Sequence, residues 1–167
     1  MKKSSGRLFF LNFLREFLWL TITVVAIYAI LYPITSKIDF IYWQINAFFI
    51  FITLTYFRYS VTFRKLQFLR PAWVRFLLFA VNFSLFLYLM HYEQKFVALS
   101  DNYYTEDFGF PKIIMYEDIK RGLFKYLYDQ IIFFGTGSLL MIITFQLRLI
   151  ISYWQYYKHK AANMLES

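Results

Sequence analysis

Between Phe17 and Thr35 lie nineteen consecutive residues without a charge, nearly all of them large and apolar. About 20 such residues carry an α-helix across the roughly 30 Å hydrocarbon core of a bilayer. A backbone in lipid has no water to bond, so a run of this length is helical if it spans. Lys2 and Lys3 precede the run as they would in a signal peptide. The run closes on Tyr32-Pro33-Ile34, however, and not on a small-x-small cleavage site, so it reads as a retained helix. Leu8–Leu14, ahead of Arg15-Glu16, reads as an extension of that helix along the interface.

Three more stretches have the same character, at about 40–57, 74–92 and 127–147. Composition supports them: 60% of the residues are hydrophobic and 25% aromatic, with 22 Phe and 15 Tyr. Ordinary globular domains hold roughly 45–50% apolar residues, so lipid must cover many of these rings. The expected fold is an all-α integral membrane protein, one four-helix transmembrane domain over 1–167. A tight turn at 36–39 joins the first two spans, and a hydrophilic loop at 93–125 joins the last two.

Charge sets the expected orientation. With the N-terminus, the 58–75 region and the C-terminus on one side, that side holds twelve Lys and Arg against six on the other, and two acids against eight. Positive charge stays in the cytoplasm, so both termini are expected there, in a cytoplasmic (inner) membrane. Tyr and Trp cluster at both expected interfaces, where amphipathic rings prefer to lie.

Within 93–125, Asp101-Asn102 and Gly109-Phe110-Pro111 suggest turns. After Pro111 a helical period returns. Ile119, Leu123 and Leu127 share one face, and Glu117, Arg121 and Lys125 another. The spacing predicts one long helix from about Glu117, through the fourth span, to about Tyr157. Arg75, near the start of the third span, is expected to snorkel to the headgroups.

The candidate sites follow from the polar residues that apolar spans tolerate poorly. The amides of Gln44, Asn46 and Asn82 need partners in hydrocarbon and should face other helices. Interhelical bonding is the plain reading, and a substrate or proton path the sharper one. Transport needs ionisable groups at mid-depth, and none is expected at the centre of a span. Asp129 opens the fourth span, either solvated or paired with Lys37 or His91. Gly135-Thr136-Gly137-Ser138 is the small-residue patch of the fourth span; Gly135 and Gly137 let a helix approach closely, from this bundle or from a partner. Arg58, Arg64, Lys65 and Arg70 form the densest basic cluster. Its plain role is to fix orientation, and it also suits anionic lipid headgroups.

Several function classes drop out. The chain has no cysteine and two histidines, His91 and His159, so neither a disulfide nor a thiolate site can form, and no metal or other cofactor is expected. The net charge of +8 sits beside apolar spans without a nucleic-acid-binding module, so no nucleic acid is expected as a partner. Asp107-Phe108-Gly109 matches a kinase signature in letters alone. The expected function is that of a non-catalytic small multi-pass subunit or scaffold, with membrane lipids and other integral membrane proteins as partners. In topology alone, four spans with inner ends and a basic loop after the second, the chain resembles the membrane regions of some bacterial sensor histidine kinases. That resemblance implies a sensory module as the alternative, ahead of a small transporter.

Overall fold

A computed structural model of the chain describes residues 3–37, 40–62, 72–101 and 117–165. These residues form four helices: α1 (Lys3–Thr35), α2 (Trp43–Thr62), α3 (Ala72–Asp101) and α4 (Glu117–Leu165). Three of them contain stretches long and apolar enough to cross a membrane, at Phe13–Thr35, Trp73–Ala98 and Gly122–Gln155. The 20 residues of α2 are roughly 30 Å long, sufficient for a hydrocarbon core. It carries Gln44, Asn46, Thr53, Thr55 and Arg58, and it is not among those three.

The boundaries shift from those the sequence suggests. α2 starts at Trp43 and continues to Thr62, past the expected end at 57. α3 continues to Asp101, so residues 93–101 are helix and not loop. α4 starts at Glu117 and is a single helix of 49 residues, roughly 74 Å at 1.5 Å per residue. The glycines at 122, 135 and 137 leave it unbroken.

The helices pack with a seven-residue repeat. Along α3 the buried residues Arg75, Asn82, Leu89 and Phe96 recur every seven positions. Along α4, Ile131, Ser138 and Phe145 form one such row, and Ile142 and Leu149 belong to a second. This is the spacing of helices that pack at a shallow crossing angle in bundles. The ladder of contacts fixes directions. Thr53 meets Phe134 and Ser60 meets Arg148, so α2 and α4 run parallel. Tyr56 meets Asn82 and Arg75 meets Ser152, so α3 runs antiparallel to both. The apolar core gathers Ile34, Phe40, Phe49, Leu89, Phe96, Leu127 and Ile142. α2, α3 and α4 are the main body, and α1 rests chiefly on α2.

α1 and α2 join through a turn in which the Ser36 amide donates to Tyr32 O (3.1 Å) and the Lys37 amide to Ile34 O (2.9 Å). Pro33 near the end of α1 has no amide hydrogen to give, so the helical bond to the carbonyl of Ala29 is missing there. One turn away, the Tyr126 hydroxyl of α4 donates to Ile30 O at 3.0 Å.

Candidate functional site

Three groups of polar side chains lie inside or against the bundle. The first is a line of polar residues between α2 and α4. Asn46, Thr53 and Ser60 recur every seven residues on α2, and Asn46 is fully buried. The Thr53 hydroxyl sits between two carbonyls, Phe49 O at 2.9 Å and Phe134 O at 3.0 Å. Gly137 of α4 faces it: a Cβ there would lie 3.3 Å from Thr53 Cγ2. The same offset between two parallel helices brings Asn46 level with Gln130. Both amides are buried, and neither has a hydrogen-bond partner among the described residues. The nearby Asn82 of α3 is also fully buried, and its Oδ1 accepts the Tyr56 hydroxyl.

The second group marks one end of the bundle with three arginines, each reaching a neighbouring helix. Arg58 of α2 pairs with Glu16 of α1 at 2.6 Å. Its guanidinium also lies 5.3 Å from the Trp19 ring centroid and 5.1 Å from that of Tyr59. Tyr59 donates to Glu16 Oε2 at 3.3 Å. Arg75 of α3 does not snorkel. It is 9% exposed and donates to Ser152 O of α4 at 2.9 Å. Arg148 of α4 donates to Ser60 O of α2. A guanidinium can deliver several donors in a fixed fork, which suits it to cap carbonyls at a helix bundle's end.

The third group is Glu93 of α3. It lies inside the apolar stretch Trp73–Ala98, and its carboxylate crosses to α4. The Thr136 hydroxyl donates to Oε1 at 2.7 Å. A Cβ at Gly135 would meet Glu93 Cγ and Oε1 at 3.3 Å, so the carboxylate is seated on the glycine. Gly135 and Thr136 are 13 and 14 residues into the apolar stretch Gly122–Gln155, roughly 20 Å from its start. Glu93 is half-buried and Thr136 is exposed. Among the described residues, no basic side chain pairs with Glu93.

The residues singled out from the sequence separate accordingly. Asn46 and Asn82 are buried, whereas Gln44 is exposed. Asp129 is exposed, and among the described residues neither Lys37 nor His91 pairs with it. Gly135 and Gly137 serve contacts within the bundle, to Glu93 and Thr53. Arg58 belongs to the α1–α2 clasp; Arg64, Lys65 and Arg70 lie outside the described residues. Glu93, Gln130 and Arg148 were not singled out. Comparison with known proteins gave no match: no family model, no curated protein and no solved structure matches this chain significantly.

Proposed function

We propose that this protein is a non-catalytic, multi-pass accessory subunit or scaffold that acts through helix–helix contacts in a larger membrane complex. The observation that carries the reading is α4. One unbroken helix of 49 residues exceeds the roughly 30 Å hydrocarbon core by about 40 Å. Such a helix projects from the bilayer and offers side chains to another protein beside and beyond the membrane. Its continuity through three glycines also disfavours a carrier, since interrupted helices line transport sites. The twelve-to-six division of Lys and Arg supports four spans with both termini on the cytoplasmic side of an inner membrane.

Extraction of the full chain in mild detergent tests the role. A stoichiometric membrane partner, lost when α4 is cut after Trp154, is the expected result; a chain that migrates alone contradicts it. Reporter fusions at Ser167 and in the 58–70 region should both read cytoplasm, and one near Asn102 the opposite side. The long helix also favours one alternative, a sensory module in which α4 links one face of the membrane to the other. Stability that depends on an added ligand, with no partner, would select it.

A further inference from the structure

A carboxylate in an apolar stretch is costly unless something compensates its charge. Glu93 has one hydroxyl, from Thr136, on a face that the described residues leave open. That face continues along α4 as a two-row stripe at seven-residue spacing. Phe133, Leu140 and Leu147 are 69%, 55% and 56% exposed, and Asp129, Thr136 and Ile143 form the adjoining exposed row. Paired rows at this spacing accept another helix lengthwise. Two acids interrupt this apolar surface, Asp129 nearer the start of α4 and Glu93, deeper in it, against Thr136.

We propose that this stripe seats a transmembrane helix of a different protein, one that carries a lysine or arginine at the depth of Glu93. The inference rests on the accessory-subunit reading and names the chemistry of the partner. A second copy does not fit. The basic groups nearest Glu93 along α3 are His91 and Lys95, each two residues away and so about 200° around the helix. Lys95 lies 5.5 Å from the Tyr42 ring centroid, on the α2 side, and His91 lies against the Tyr92 ring. Two copies meeting through the stripe would set acid against acid or against hydrocarbon, whereas a foreign basic residue forms a charge-assisted pair where little water competes.

The test uses the full chain in lipid nanodiscs, with one donor dye on Ser36→Cys; the natural chain has no cysteine, so the label is unique. The probes are synthetic leucine–alanine transmembrane helices with an acceptor dye. One has a single lysine one to three turns from the end nearest the donor, one a glutamate there, and one leucine only. The lysine helix should bind the otherwise unsubstituted chain at least tenfold more tightly than the leucine helix. Glu93→Gln should bring the two within about twofold, Glu93→Lys should favour the glutamate helix, and Asp129→Asn should leave the lysine preference in place. Equal binding of lysine and leucine helices overturns the proposal and requires no substitution at Glu93. Persistence of the preference in Glu93→Gln, or its loss in Asp129→Asn alone, also overturns it. The subunit reading fails separately. A chain that extracts alone yet prefers the lysine helix removes that reading and keeps the site. A stoichiometric partner fully retained by Glu93→Gln removes the site and keeps the reading.

Discussion

Glycines 122 and 137 occupy the same helix in opposite surroundings, so the same substitution should act differently at each. In a helix interior Ala is favoured over Gly by roughly 0.5–1 kcal/mol. Nothing lies within 4 Å of a Cβ at Gly122, so Gly122→Ala should gain that amount. At Gly137 the new Cβ would stand 3.3 Å from Thr53 Cγ2, inside the 3.5–4.0 Å optimum for two carbons. Thr53 cannot turn away freely, because its hydroxyl is shared between Phe49 O and Phe134 O. Turning would sacrifice an interhelical bond of about 0.6 kcal/mol. Gly137→Ala should therefore come out near neutral. Gly137→Leu should lose about 1–3 kcal/mol through overpacking, while Gly122→Leu should gain about as much as Gly122→Ala. Thr53→Ser removes Cγ2, keeps the hydroxyl, and should recover part of the Gly137→Leu loss. The assay is unfolding in mixed micelles as the denaturing detergent fraction rises, followed by helical circular dichroism. If Gly137→Leu matches Gly122→Leu, or if Thr53→Ser recovers nothing, the close α2–α4 approach is not the controlling contact.

Other contacts make separate predictions in the same assay. Asn46→Leu and Gln130→Leu should each be neutral or stabilising, because each removes a buried amide that has no hydrogen-bond partner among the described residues; a loss of about 1–3 kcal/mol in either single variant, recovered in the double, would show that the two amides bond each other. Asn82→Leu should cost only about 0.6 kcal/mol, and Tyr56→Phe should cost no further stability in that background. Arg75→Met should cost about 1.5–3 kcal/mol, the range for a charge-assisted bond; a neutral result would mean that the Ser152 contact adds nothing. Glu16→Gln should cost only about 0.2–1 kcal/mol because the side chain is 38% exposed, and the loss should shrink at high salt.

The start and continuity of α4 were legible in the sequence because two faces can be traced from Glu117 onward and no proline follows Pro111; its end was not, since the helix continues to Leu165, past the expected Tyr157. Glu93 was not, and the reason is instructive. A glutamate beside Gln94 and Lys95 reads as the edge of a hydrophilic loop. The row Arg75, Asn82, Leu89, Phe96 passes beyond it, and that row was the available signal for a longer helix with Glu93 on its α4 side. Arg75 misled in the same way. An arginine near a span's start usually reaches headgroups, but Ser152 O is presented to it only because α4 runs alongside. The amides of Asn46 and Gln44 look alike in sequence, and only rotation about the α2 axis buries one and exposes the other. Single-sequence polarity marks which residues need partners; which helix supplies the partner is a property of packing.

The attachment of α1 has a mechanical consequence. Near the start of its apolar stretch Glu16 meets Arg58 and Tyr59, and near its end Ile30 O holds Tyr126 while Leu31 and Ile34 are buried. Between them Val25 and Tyr28 are 61% and 67% exposed, and a groove of about 680 Å³ opens beside Val24, Ile27 and Tyr28 toward Trp43. A rod fastened at two points and free between them can bow, but it cannot slide. Travel by one helical turn, 5.4 Å, would break both fastenings together. A bend needs only hydrocarbon chains to shift into or out of the groove. Tension across the bilayer would therefore reach α1 as curvature and not as a piston stroke, and the two fastened points of α1 would keep their level against α2 while the stretch between them moved.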